Sequence, residues 1–186
     1  MLLNFMVIDS LCVFCGASPG NKAIYIDAAA SFGAELGQHG IRLVYGGGGS
    51  GLMGCVADSV LKAGGEVTGV IPNYLKDREL GHQNLTKLEV VDNMHERKRR
   101  MFDLADGIVA LPGGIGTLEE VLEIITWKQL GMHNKPIILL NVSGYWGQLN
   151  DLIKNTIAHG FAVPQTKDLY EMIPHPTEII PALRKI

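Results

Sequence analysis

The sequence predicts an α/β protein: a Rossmann-like, doubly wound parallel sheet with helices on both faces, folded as a single domain. Three observations carry that prediction. Apolar runs of strand length alternate with segments of helical period along the whole chain. The runs are rich in Val, Ile and Leu with little alternation, the pattern of strands buried on both faces. No composition shift or repeat divides the 186 residues, a length that suits one domain with a sizeable core. Right-handed crossovers between parallel strands then give the doubly wound arrangement.

Residues 1–10 read as an N-terminal extension ahead of a domain at 11–186. Met1–Ile8 is apolar but lacks Lys and Arg, and Asp9 interrupts it, which makes a poor signal peptide. Strands are expected at Leu11–Cys15, Arg42–Tyr45, Glu66–Ile71, Lys87–Val91, Gly107–Leu111 and Pro136–Asn141, with a short edge strand near Leu169–Ile173. Helices are expected at Ala23–Gln38, Gly51–Ala63, Met94–Ala105, Thr117–Leu130, Tyr145–His159 and Thr177–Lys185.

Composition narrows the function. A net charge of -3 argues against a protein-wide footprint for nucleic acid or an anionic membrane, and no run reaches the roughly 18 apolar residues of a span. Three cysteines make no disulfide framework and suit a reducing, cytoplasmic setting. Cys12 and Cys15 spell C-x-x-C inside an apolar strand and not at a helix start, so they read as buried structural thiols. The six histidines show no metal-ligand spacing, so no metal is expected.

Glycine is the outlier, with 23 residues, several of them clustered. Ligands of such sheets bind beyond the carboxyl ends of the strands, and three small or glycine-rich segments fall there: Gly16–Pro19, Gly46–Gly54 and Pro112–Thr117. In the second, Gly47, Gly48, Gly49, Ser50 and Gly51 lead into a helix, whose unpaired N–H groups and positive dipole suit a phosphate. Gly49-x-Gly51-x-x-Gly54 also matches the dinucleotide fingerprint, but it follows the second strand and lacks the ribose-binding acid at the end of the next. No Gly-Lys-Ser/Thr closes a Walker loop. A mononucleotide or sugar phosphate fits better than NAD.

The third segment ends in Thr117-x-x-Glu120, which is both a capping box and a way to aim polar groups at a ligand; the residues leave both readings open. His95–Arg100 holds four consecutive basic residues, which diverge by about 100° each on a helix, so only one or two reach the strand ends. A carboxylate beside a phosphate site needs another task. Stabilising the oxocarbenium-like state of glycosidic hydrolysis, with an arginine to orient it, is one that fits.

Met94-His95-Glu96-Arg97-Lys98, followed by Pro112-Gly113-Gly114-Ile115-Gly116-Thr117-Leu118-Glu119-Glu120, resembles the LOG (Lonely Guy) family, cytokinin riboside 5′-monophosphate phosphoribohydrolases often labelled lysine decarboxylases. Cys15–Ser18, Tyr45–Gly48, Ile71-Pro72 and Ile125–Trp127 extend the likeness over the chain from about Leu11. The resemblance implies hydrolysis of a nucleoside 5′-monophosphate to free base and ribose 5-phosphate, without metal or redox cofactor. It implies Arg97 and Glu120 as catalytic residues. It places Glu79, Arg97, Lys98, Gly113, Gly114, Ile115, Gly116, Thr117, Leu118, Glu119 and Thr126 on the substrate. It also implies a homodimer with sites near the interface. A nucleotide-sensing module of the same fold is the alternative, and an RNA-binding surface on Arg97–Arg100 a more distant one.

Overall fold

The computed structural model describes residues 7–76 and 81–184. Seven strands, β1 (Ser10–Phe14), β2 (Arg42–Tyr45), β3 (Val67–Pro72), β4 (Lys87–Val91), β5 (Gly107–Ala110), β6 (Ile137–Leu140) and β7 (Glu171–Ile173), form one sheet in the order β4-β3-β2-β1-β5-β6-β7. Every pairing is parallel. Helices α1 (Ala23–Gln38), α2 (Gly51–Lys62), α3 (Asn73–Lys76), α4 (Met94–Asp103), α5 (Ile115–Gln129), α6 (Gly147–Ala158) and α7 (Ile179–Leu183) make the crossovers and cover the sheet.

The two-residue period of each strand splits the core into two layers. Leu11, Val13, Leu43, Tyr45 and Val109 face α1, α2 and α7. Cys12, Phe14, Val44, Ile108 and Ala110 face α4, α5 and α6. Both sides of a central strand are therefore dry, which is why these strands read as continuous apolar runs. Each fully buried Leu or Ile contributes roughly 1.5–3 kcal/mol. The edges are protected differently: β4 carries the Lys87–Glu89 ion pair, 2.8 Å, and β7 has only three residues.

Most expected elements stand where the sequence put them, and the shifts have local causes. β1 starts at Ser10, inside the expected extension, because the Asp106 carboxylate accepts from the Ser10 N–H (2.9 Å) and Oγ (2.8 Å). Helix α6 starts at Gly147 and not Tyr145, because a tight 3-10 turn at Val142–Gly144 comes first. Ser143 sits there at φ 52°, a left-handed conformation that costs a non-glycine residue on the order of 1 kcal/mol. Helix α7 is shorter than the expected Thr177–Lys185, whose end lies outside the described residues. No helix among the described residues is long and apolar enough to cross a membrane.

Candidate active site

The strand order reverses at β1: the chain winds one way from β1 to β4 and the other way from β5 to β7. The crevice beyond the carboxyl ends of β1 and β5 is the place such a sheet opens for a ligand. A cavity of about 540 Å³ lies there. Its walls are the turn after β1, the turn after β5, Arg97 and Met101 of α4, Glu120 of α5, and the rings of Tyr25 and Tyr145.

Arg97 is 4% exposed and tied to the sheet through two carbonyls. Its Nη2 donates to the Gly46 carbonyl (2.6 Å) and its Nε to the Val70 carbonyl (3.1 Å). Gly46 lacks a side chain for a reason: a Cβ there would lie 2.1 Å from Nη2. Two strand-end carbonyls and one missing methyl thus hold a cation at the cavity wall.

The other basic residues of the run diverge. Lys98 is buried between helices, its Nζ on Glu119 (2.5 Å) and Glu123 (3.0 Å) of α5. Burial works against its charge, but the two carboxylates outweigh it and hold the amine above its ordinary value. Arg99 pairs with Asp103 on the surface. Arg100 grips Glu89 of β4 through Nε (2.6 Å) and Nη2 (3.1 Å), and with Lys87 it holds that carboxyl down to about 2.

Helix α5 begins at Ile115, with Gly114 as its N-cap, two residues before the expected start. Thr117 is therefore inside the first turn, and the Thr117/Glu120 capping box does not form. The capping explanation of Glu120 falls with it, and Glu120 lies half-buried on the cavity wall. Burial first, and the Glu120 charge second, push the thiols of Cys12 and Cys15 well up, which keeps them inert. A related cap forms on α4 instead: the N-cap Asn93 Oδ1 accepts the Glu96 N–H (2.9 Å), and Glu96 Oε2 reaches back to accept the N–H of Asp92, one residue before the cap (3.0 Å).

The two glycine-rich turns do different jobs. Gly113, Gly114, Gly116 and Thr117 line the cavity, and the first helical bond of α5, Leu118 N–H to the Gly114 carbonyl, lies beyond them. The amino end of α5 is thus presented to the cavity with its positive dipole. Gly47, Gly48, Gly49, Ser50 and Gly51 lie off the cavity wall, which Gly46, Leu52 and Met53 of the same segment reach. The amides of Leu52 and Met53, in the first turn of α2, both donate to the Gly16 carbonyl (3.0 and 3.3 Å). Ser50 Oγ donates to the Ala17 carbonyl, and a Cβ on Gly51 would strike the Ala17 backbone at 2.3 Å. These glycines let two loops touch, and protein carbonyls take the α2 amides expected for a phosphate.

The remaining expected substrate residues separate. Glu119 borders the cavity, but it also borders a shallow outer groove with Ile115, Leu118, Leu122, Glu123, Thr126 and Trp127. Thr126 Oγ1 donates back to the Leu122 carbonyl (2.7 Å). Glu79 lies outside the described residues. Tyr25 and Tyr145 had no sequence signal beyond their position: Tyr145 follows β6, the neighbour of β5, so it too sits at the carboxyl edge. Among the described residues no three His, Cys, Asp or Glu side chains group to hold a metal ion.

Comparisons with known proteins identify the family and the fold. The profile of the family described as "Possible lysine decarboxylase" matches residues 53–183. The probable cytokinin riboside 5′-monophosphate phosphoribohydrolase LOGL2 of Oryza sativa subsp. japonica is 46% identical over 184 residues, 97% of this chain and 75% of that protein. The cytokinin riboside 5′-monophosphate phosphoribohydrolase LOG1 of Arabidopsis thaliana is 46% identical over 173 residues, 93% and 81% of the two chains. The solved Moco carrier protein of Chlamydomonas reinhardtii shares the fold, with a TM-score of 0.72 at 20% identity over 95% of each chain. The molybdenum cofactor binding protein of Rippkaea orientalis does so too, at 0.71 and 19% over 97% and 98%. At 46% identity over nearly its whole length, with the Arg97 and Pro112–Glu120 signatures converging on one cavity, the chain belongs to the LOG family of cytokinin riboside 5′-monophosphate phosphoribohydrolases.

Proposed function

We propose that this chain hydrolyses the N-glycosidic bond of a cytokinin nucleoside 5′-monophosphate, releasing free base and ribose 5-phosphate. The observation that carries the reading is the meeting of Arg97, Glu120 and the amino end of α5 in one cavity at the switch point. The dipole and first-turn amides of α5 suit the 5′-phosphate. As the bond from C1′ to the base nitrogen breaks, positive charge grows on the ribose, and water adds to C1′. The Glu120 carboxylate stabilises that charge and takes the water's proton; the departing base nitrogen keeps the bonding pair and gains a proton, so that Glu120 returns to its carboxylate form. Arg97, anchored by Gly46 and Val70, orients Glu120 and the substrate. Apolar side chains of Leu52, Met53, Met94 and Met101 on the same walls supply a surface for the base and a hydrocarbon substituent on it.

The test is base release from isopentenyladenosine monophosphate and from AMP, with wild type beside Glu120→Gln. Wild type should release base. The variant should fold normally and lose about 10²–10⁴ in turnover. Folded wild type that binds these nucleotides and releases no base would support the sensing module instead.

The homodimer is part of this proposal. Ile115, Leu118 and Leu122 repeat at helical spacing on the outer face of α5, with Trp127 at the edge of the same groove, and Ile115 is 81% exposed. A second subunit seated there would border Glu119 and hence the cavity. Sedimentation equilibrium should give twice the chain mass, and Leu122→Lys should shift it towards one. The cytoplasm is the proposed compartment.

A further inference from the structure

Three consecutive peptide units shape the turn after β5, and each is pinned by a different donor. The Pro112 carbonyl accepts from the Gly16 N–H (3.0 Å), and the Gly114 carbonyl accepts from the Leu118 N–H (3.0 Å). The unit between them, Gly113–Gly114, has its carbonyl bonded to the hydroxyl of Tyr145. Both of its residues are glycine, so no side chain opposes rotation of that unit. In a trans peptide the C=O and N–H point in opposite directions. Anchoring the Gly113 carbonyl therefore fixes where the Gly114 N–H points, directly before the first amides of α5.

Tyr145 is delivered to this spot with some effort. The left-handed Ser143 and Gly144 (φ 52° and 75°) turn the chain after β6, and the Trp146 N–H donates to Asn141 Oδ1 (2.8 Å) to hold the turn. The Tyr145 ring packs edge-on against Tyr25 (6.0 Å) and against the fully buried Trp146 (5.1 Å). Backbone strain at one exposed turn, and two ring contacts, serve to place one phenol oxygen.

We infer that Tyr145 is a positioning residue for the phosphate subsite, locking the Gly113–Gly114 peptide so that the Gly114 N–H joins the α5 amides. This deepens the phosphoribohydrolase reading and rests on it. Without the phenol the unit can flip, which turns φ of Gly114 from -88° by half a turn to about +90°. That conformation is open to glycine and closed to alanine. A Cβ at Gly114 meets no protein atom within 4 Å, so Gly114→Ala is compatible with the observed conformer and forbids the flipped one.

The experiment is a double-mutant cycle on Tyr145→Phe and Gly114→Ala, read by calorimetry with ribose 5-phosphate and by steady-state base release from AMP. Tyr145→Phe should weaken ribose 5-phosphate about tenfold, the worth of one hydrogen bond, and raise KM more than it lowers kcat. Inhibition by adenosine, which has no phosphate, should not change. In the Gly114→Ala background the same Tyr145→Phe change should cost twofold or less, whatever Gly114→Ala does alone. Tyr170→Phe removes a comparable phenol bond, to Asn150 Oδ1 (3.0 Å), away from the cavity and controls for general stability. Unchanged ribose 5-phosphate affinity in Tyr145→Phe, or an equal loss in both backgrounds, overturns the inference while wild-type turnover still stands. Wild type that neither binds ribose 5-phosphate nor releases base removes the underlying reading, and this inference with it.

Discussion

Replacing Gly46 with alanine should disable the enzyme through a residue 51 positions away in sequence. The added Cβ would lie 2.1 Å from Arg97 Nη2 and 3.0 Å from its Cζ, whereas ordinary contact begins near 3.4 Å. The nitrogen must therefore retreat by roughly 1.3 Å, the difference between 3.4 and 2.1 Å. Its bond to the Gly46 carbonyl, 2.6 Å, would stretch past hydrogen-bonding range, and the 3.1 Å bond to Val70 would be strained with it. Gly46 does not have positive φ, so alanine brings no backbone penalty and the effect is steric. A displacement of about 1 Å in a group that orients the reacting atoms costs on the order of 10²-fold in rate. Base release from isopentenyladenosine monophosphate should fall by about that factor. The melting temperature should drop by a few degrees, since one charge-assisted bond contributes about 1.5–3 kcal/mol. Turnover within threefold of wild type would refute the claim that Gly46 and Val70 hold Arg97 in its working position.

Two further predictions concern α5. Lys98→Met should destabilise by about 1–2 kcal/mol, less than a fully dry pair because Glu119 is largely exposed. The Lys98 amine is raised above its ordinary 10.5, so its contribution is complete below that pH and is lost as pH rises through the higher folded value; an alkaline melting series should show this limb in wild type and not in the variant. Gly116→Ala, on a helix and facing open space, should add up to about 1 kcal/mol of stability, read as a higher melting temperature, yet raise KM, because the new methyl occupies the phosphate side of the cavity. A stabilised variant with unchanged KM would move the phosphate elsewhere.

The sheet was legible because buried parallel strands cannot avoid looking like apolar runs, and the βα punctuation left few topologies to choose from. Arg97 and Glu120 were singled out as a pair only by the family signature. Helical geometry alone said that the four basic residues diverge, and the missing Cβ of Gly46 is what selects Arg97 from among them. The first glycine-rich run packs on another loop, and its sequence could not say so for a physical reason. A glycine opens room for a ligand and for another backbone alike, and the partner of Gly51, the Ala17 carbonyl, sits 34 residues earlier, where no local pattern points. Thr117 misled likewise: threonine is a better statistical cap than glycine, but here its hydroxyl lies where a Gly113 side chain would be, and the helix starts earlier.

The pairing of β1 with β5 joins Leu11 to Gly107 across 96 positions, and the site straddles that pairing. The Gly46 and Val70 carbonyls that take the Arg97 guanidinium both precede residue 107, as do β1 to β4 and α4. Glu120 itself, on α5, follows it. As the chain leaves the ribosome, the first half can assemble into a four-stranded sheet with β1 as a temporary open edge, carrying the cation without the carboxylate. Docking of β5 closes that edge and brings α5 with its carboxylate up to the cation. The two side chains proposed for the reaction thus meet only once β5 pairs with β1, and a chain stalled before that pairing holds them apart.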